Sequence, residues 1–196
     1  MLRKALSPAT ALFRVPGARL FYRGELAELL AAVAAVFAVF AGGAPWALTP
    51  AGAARLFAFA FLIYAPHELA HKFVAEYYGF PARFRLDPPL LALTLLSALP
   101  FVPVKFIVPG AVRVAAYPGY SREVDGKVSA AGPFVSILLG FVAAAVGLRW
   151  LAWFSGWISL FNLLPLGPLD GRKVIAWNPV VWGLLVLASA LLLALF

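Results

Sequence analysis

Long apolar runs, separated by short segments that carry most of the basic residues, divide this chain along its length. Its composition is 64% hydrophobic and only 12% charged, whereas soluble domains average about 25% charged residues. A soluble fold of 196 residues cannot bury so much apolar surface. The chain is therefore expected to be an all-α polytopic membrane protein with five to six transmembrane helices and short membrane-associated β-strands. Five spans are predicted at residues 25–40, 52–78, 127–148, 150–164 and 179–196.

The distribution of the basic residues predicts how the chain is oriented. The net charge of +8 does not indicate nucleic-acid binding, because the cations lie between apolar runs and form no stripe beside exposed aromatic residues. Residues 1–24 are expected to form a basic cytosolic arm, followed by one membrane domain at residues 25–196. Residues 41–54 contain no Lys or Arg and are therefore expected outside. The bias follows the positive-inside rule, and it predicts a multi-pass cell-membrane protein with its N-terminus and active-site opening on the cytosolic side.

The segment 88–104 is the one apolar stretch whose path the sequence leaves open. It is short, bounded by proline, and flanked by basic residues on both sides, so a re-entrant or interfacial hairpin is favoured over a sixth span. The flanking residues 82–86, 105–108 and 111–114 have the character of short strands. An edge of such a sheet could pair with an extended peptide, or the segment could be a membrane-surface loop without that role.

Both histidines of the chain lie in the second predicted span, four residues apart. Residues at i and i+4 share one helix face, so His67 and His71 can hold one Zn²⁺ ion together. Glu68 lies beside them, where its carboxylate can take a proton from water, as in the H-E-x-x-H arrangement of zinc metallopeptidases. The alternative is that the histidines are only packed or capping side chains. Ionisable groups inside an apolar span are costly and usually functional, which favours the metal site.

A third protein ligand is needed, and acidic residues are few. Asp170 is the only acid after residue 125, and it follows the break Pro165–Pro168 in an apolar run. Irregular backbone at membrane depth is tolerated where it lines a site or cavity, which favours a ligand role. The alternative is that Asp170 merely caps a short helix that continues through Lys173.

Three motifs resemble those of the site-2 protease family, the intramembrane zinc metalloproteases. They are His67-Glu68-x-x-His71, the stretch Ala131-Gly132-Pro133, and the segment from Asn162 to Asp170-Gly171 with Pro165 within it. The resemblance implies that His67, His71 and Asp170 hold one zinc ion per chain, that Glu68 is the general base, and that Asn162 binds substrate or the oxyanion. Arg172 departs from the family, which usually has a second glycine there.

The function expected from this resemblance is hydrolysis of peptide bonds in or near the transmembrane segments of membrane-protein substrates. The expected partners are those substrates and the lipid bilayer, with no nucleic acid. Water is expected to reach the site past Lys72 or Arg172. Two alternatives are a membrane zinc protease that cleaves soluble or lipidated peptides and a non-proteolytic metal-binding protein or transporter. Glu68 argues against the second, since such a protein needs no base to activate water.

Overall fold

The computed structural model describes residues 19–42 and 49–195, so most of the predicted N-terminal arm lies outside the described residues. The described part is mostly helical, with a sheet of two strands. Its helices are α1 (Glu25–Ala41), α2 (Pro50–Tyr77), α3 (Pro88–Ser97), α4 (Arg122–Ala145), α5 (Arg149–Asn162), α6 (Asp170–Trp177) and α7 (Pro179–Leu195). Its strands are β1 (Ala82–Leu86) and β2 (Gly110–Val114).

Each of the five predicted spans coincides with a helix, namely α1, α2, α4, α5 or α7. The largest difference is at α4, which begins five residues before the predicted span. Ser121 accepts a hydrogen bond from the Val124 backbone N–H at 3.2 Å, and this cap starts the helix in the polar segment ahead of the apolar run. Among the described residues, α4 alone is long and apolar enough to cross a membrane by length and composition, while α3 and α7 are apolar but shorter.

α2, which carries both histidines, has defined signals at its two ends. Thr49 accepts a hydrogen bond from the Gly52 backbone N–H at 3.1 Å, and Pro50 occupies the first turn, where no intrahelical donor is needed. At the other end Gly79 adopts φ +91°, and the Phe80 N–H donates to the Ala75 carbonyl at 3.0 Å. This left-handed turn ends the helix and directs the chain into β1.

β1 and β2 are antiparallel, with Leu86 paired to Gly110 at one end. The outer edge of β1 is covered by α1, because the Phe84 N–H donates to Glu25 at 2.8 Å and the Leu86 N–H donates to Glu28 at 2.9 Å. These bonds satisfy donors that an edge strand would otherwise leave unpaired. The other edge of the sheet is that of β2, which packs against α2.

The segment between the strands is a hairpin that leaves the sheet at Leu86 and returns to it at Gly110. It packs along α1 and reaches the far end of that helix, where a Cβ added to Gly42 would lie 3.1 Å from the Ala98 carbonyl oxygen. On the return path the Phe106 N–H donates to Ser97 Oγ at 3.0 Å and the Val108 N–H donates to Thr94 Oγ1 at 3.3 Å. This geometry agrees with the predicted hairpin.

One expectation for this segment is wrong. Residues 105–108 form no strand, because their backbone groups bond to side chains of α3 rather than to a neighbouring strand. Lys105 lies at the tip of the hairpin, where its Nζ donates to the carbonyls of Ser97 at 2.9 Å and Leu99 at 3.1 Å. It stabilises the C-terminal end of α3, whose last carbonyls lack intrahelical partners.

α4 is the helix around which the site is assembled. It packs against α2, α5 and α6, and small or polar residues on it are buried: Gly126, Ser129, Gly132, Ser136 and Gly140. Small residues allow helix backbones to approach closely. This close packing places α2 and the short helix α6 against the same face of α4.

Candidate metal centre

His67 and His71 project from one face of α2, as their spacing predicts. Their ring centroids are 4.8 Å apart, with the planes at 77°. Both rings are buried, at 1% and 6% exposure. Two imidazoles held side by side away from bulk water provide two nitrogen ligands for a metal ion.

Asp170, the first residue of α6, brings its carboxylate to the same point. Its Oδ2 lies 3.5 Å from His67 Nε2 and 3.2 Å from His71 Nε2. All three candidate ligand atoms lie within 4.8 Å of one another. The neighbouring Leu169 occupies the N-cap position, and no side-chain hydrogen bond caps α6, so the alternative of a simple capping role for Asp170 has no support in the geometry.

Hydrogen bonds to α4 orient both imidazoles. His71 Nδ1 lies 2.7 Å from the Val128 carbonyl oxygen, and because a carbonyl can only accept, Nδ1 carries a proton and Nε2 is the ring nitrogen left to bind a metal ion. His67 Nδ1 lies 2.9 Å from Ser136 Oγ, which leaves Nε2 of that ring facing Asp170 as well. Such outer hydrogen bonds fix the tautomer and the orientation of metal-binding histidines.

Gly132 provides the space in which the two Nε2 atoms lie. A Cβ at this position would be 2.7 Å from His67 Nε2 and closer still to His71 Nε2. Any side chain on residue 132 would therefore occupy the volume between α4 and the ligand atoms. Two imidazole nitrogens and one carboxylate oxygen around a space kept clear by glycine fit Zn²⁺, which takes three such protein ligands and leaves one position for water.

Gly171 allows α6 to approach the end of α5. A Cβ there would overlap the Leu163 carbonyl and lie 2.7 Å from the Leu164 carbonyl oxygen. Trp182 of α7 donates its Nε1–H to the same Leu163 carbonyl at 2.7 Å. The broken segment between α5 and α6 is thus fixed by close packing, and this packing positions Asp170.

Glu68, the predicted base, is buried next to the histidines, with 7% exposure. Its carboxylate lies close to the Tyr64 hydroxyl and to the Val112 N–H of β2. The Tyr64 hydroxyl donates a hydrogen bond to the Gly110 carbonyl at 3.5 Å. Glu68 does not belong to the group of three candidate ligand atoms, so its carboxylate remains available for proton transfer.

Asn162 is placed at the last residue of α5, buried to 9% exposure. Its Nδ2 donates to the Ile158 carbonyl of its own helix at 3.0 Å. That bond uses one of the two amide N–H donors. The role of Asn162 toward substrate stays a prediction.

The expected route for water past Lys72 is wrong. Lys72 has no exposed surface, and its Nζ pairs with Glu25 at 2.7 Å and donates to the Leu20 carbonyl at 2.8 Å. Arg172 is exposed and lines a cavity of about 330 Å³ with Tyr120. Burial, together with a 2.8 Å hydrogen bond to Asp125, raises the pKa of Tyr120, so its hydroxyl stays protonated.

Sequence reasoning missed three participants in the site: Ser136, the Val128 carbonyl and Tyr64. Ser136 had a detectable signal, since it is an isolated hydroxyl in an apolar run one turn after Gly132. The Val128 carbonyl had none, because any residue supplies a carbonyl and only the packing of α4 on α2 decides which one meets His71.

A relative from Methanocaldococcus jannaschii, named "Putative zinc metalloprotease", is 37% identical to this chain over 131 residues. The aligned region covers 60% of this chain and 67% of the relative. No protein-family profile matches the chain. No solved structure matches it either.

Proposed function

This chain belongs to the same family as the zinc metalloprotease relative from M. jannaschii, and from that premise we propose that it is an intramembrane zinc metalloprotease of the site-2 type. The observation that carries the proposal is the convergence of His67, His71 and Asp170 next to the buried carboxylate of Glu68. We propose one zinc ion per chain at these three ligands.

Support for action within the membrane comes from the elements that build the site. Two contacts to the histidines come from Val128 and Ser136 of α4, the described helix that is long and apolar enough to span a bilayer. These residues lie roughly 10 and 20 Å along α4 from its start, at 1.5 Å per residue. A metal ion held there would lie at membrane depth if α4 crosses the bilayer.

The chemistry follows from the side chains around this point. Zn²⁺ bound there would polarise a substrate carbonyl and acidify water. Glu68 accepts the proton of the attacking water, the water oxygen bonds to the carbonyl carbon, and the same proton passes to the leaving amine as the C–N bond breaks. The Tyr64 hydroxyl and the Val112 N–H lie next to the Glu68 carboxylate and would keep it in place for both transfers.

A substrate segment would pair with the outer edge of β2, the strand of the sheet that lies next to Glu68. The outer edge of β1 is occupied by Glu25 and Glu28, whereas Val112 of β2 lies beside Glu68. A peptide that adds to this edge is extended, so its carbonyls are released from internal helix bonds and pass close to the base. Helix-breaking residues near the cleavage position would therefore favour cleavage of a transmembrane substrate.

The test of the reaction is a Glu68→Gln variant in a reconstituted cleavage assay with a membrane-protein substrate. We expect the rate to fall by about 10²- to 10⁴-fold, the usual contribution of a general base, with zinc still bound. Glu123→Gln is the matched control, because Glu123 is an exposed residue at the start of α4. Cleavage by Glu68→Gln at the wild-type rate would contradict the proposal.

Metal content tests the ligand set separately. About one zinc per chain is expected in purified wild-type protein. Asp170→Ala and His67→Ala each remove a ligand. Each should therefore weaken zinc binding by more than the roughly 10- to 100-fold loss that follows when a residue hydrogen-bonded to a ligand is removed. Unchanged zinc in Asp170→Ala would exclude it as a ligand. Bound zinc without cleavage of any membrane substrate would favour the non-proteolytic alternative.

A further inference from the structure

A large cavity lies at the end of the molecule that is remote from the β1–β2 sheet. Its volume is about 1500 Å³, compared with roughly 300–1,000 Å³ for pockets that hold drug-sized ligands. It is lined by the C-terminal end of α1, the first turns of α2, the return path of the hairpin and the start of α5. The cavity is separate from the candidate metal centre. Phe59 is the last residue of α2 that lines the cavity, and His67 lies about eight residues further along the same helix.

Three cations line this cavity: Arg55, Lys105 and Arg149. Arg55 and Arg149 are exposed and Lys105 is partly buried. Two donors of the Lys105 ammonium reach the carbonyls of Ser97 and Leu99, which leaves one of its three donors for a ligand. The cationic groups are therefore held at the rim and wall of one cavity.

No acidic side chain is among the described residues that line this cavity. All eight Asp and Glu residues of the chain lie within the described residues, and none of them lines the cavity. Among the described residues, Arg55 and Lys105 form no ion pair with a carboxylate. The site therefore favours a negatively charged ligand.

The rest of the lining is apolar and aromatic, including Phe59, Trp153 and Trp157. Free phosphate would satisfy the cations but leave this surface without a partner. Tryptophan and arginine together are typical of the boundary between hydrocarbon and headgroups, and basic pockets between membrane helices bind anionic headgroups.

We infer that this cavity binds a single anionic phospholipid, with its phosphate at Arg55 and Lys105 and its acyl chains against Phe59, Trp153 and Trp157. The bound lipid joins the ends of α1 and α5 to the tip of the hairpin that leads back to β2. The inference does not depend on the proposed proteolysis, since none of these residues belongs to the metal centre.

The test is native mass spectrometry of the detergent-solubilised full chain, titrated with phosphatidylglycerol or phosphatidylcholine. One phosphatidylglycerol should bind in preference to phosphatidylcholine, and excess inorganic phosphate should not displace it. Each cation near an anionic headgroup contributes about 1 kcal/mol, so Arg55→Gln should weaken binding roughly fivefold. Arg122→Gln, at an exposed arginine outside the cavity lining, is the control and should leave binding unchanged.

Lys105→Gln is the second variant, and it should also weaken binding roughly fivefold. Zinc content should stay at the wild-type level in all of these variants, which shows that the fold is intact. Equal binding of the two lipids, displacement by phosphate alone, or the same loss in Arg122→Gln as in Arg55→Gln would each overturn the inference.

Discussion

Gly132 shows how a single residue decides whether the metal centre can form. The sequence indicated that the small residues around it allow two helices to approach closely. It could not show that the imidazoles of α2, rather than backbone, would fill the space, because this depends on the rotation of α4 against α2. The structure places both Nε2 atoms where a Cβ at residue 132 would be.

Gly132→Ala is therefore expected to weaken zinc binding by at least about 10-fold, the lower range for disturbing the surroundings of a metal site. The added methyl displaces His71 and His67 from Asp170, although alanine itself favours a helix. Gly183→Ala is the matched control, since a Cβ at Gly183 of α7 meets no atom within 4 Å. Zinc affinity measured by chelator competition checks this, and wild-type affinity in Gly132→Ala would contradict the geometry described here.

At the scale of the elements, the sequence predicted the five long helices to within a few residues, because apolar runs and their breaks are local features. It also placed β1 and the hairpin. The sequence did not show which elements pair with each other. Glu25 contacts Lys72 across 47 residues of sequence, and Glu28 contacts the edge of β1 across 58 residues. Local patterns do not reveal contacts between residues so far apart in sequence, so Lys72 was mistaken for a channel residue.

The Glu25–Lys72 ion pair joins α1, α2 and β1. Glu25 has 1% exposure and accepts hydrogen bonds from Lys72, from the Tyr22 N–H and from the Phe84 N–H. Removing one partner of a buried pair leaves the other charge without compensation, which typically costs about 3–5 kcal/mol. Lys72→Met should therefore lower the free energy of unfolding by about that amount, measured by denaturant titration in detergent.

The double variant Lys72→Met with Glu25→Gln should recover most of this loss. It removes both charges, and the single amide oxygen remains to accept from one of the two backbone donors, the Tyr22 N–H or the Phe84 N–H, which bond to different oxygens of Glu25. Glu25→Leu in place of Glu25→Gln should recover less, because both N–H donors then lose their acceptor. Equal stability of Lys72→Met and wild-type protein would show that the pair does not hold these elements together.

At the scale of the whole molecule, the two ends differ in charge. The end at the sheet holds acids and cations together, as in the pairs Arg85–Glu28 and Arg113–Asp87, whereas the charged residues that line the remote cavity are all cations. The cavity beside Arg172 and Tyr120 is also lined by Arg122 at the start of α4. If α4 crosses the bilayer, this smaller cavity and the turn after α4 face opposite sides.

The orientation of α4 in the membrane can be measured directly. Because the chain contains no cysteine, a single introduced thiol reports on which side of the membrane its own position lies. α4 has 24 residues, about 36 Å at 1.5 Å per residue, compared with a hydrocarbon core of about 30 Å. Arg122→Cys and Val146→Cys place exposed thiols at its two ends. In intact cells, an impermeant maleimide is expected to label Val146→Cys alone, and after permeabilisation it should label both.

Arg172→Cys should follow Arg122→Cys, since the two residues line the same cavity, and this would place that cavity on the cytosolic side. The reverse labelling pattern would invert the orientation while keeping α4 as a span. Labelling of Arg122→Cys and Val146→Cys from the same side would show that α4 does not cross the bilayer, and it would remove the ground for proteolysis within the membrane while leaving the zinc ligands intact.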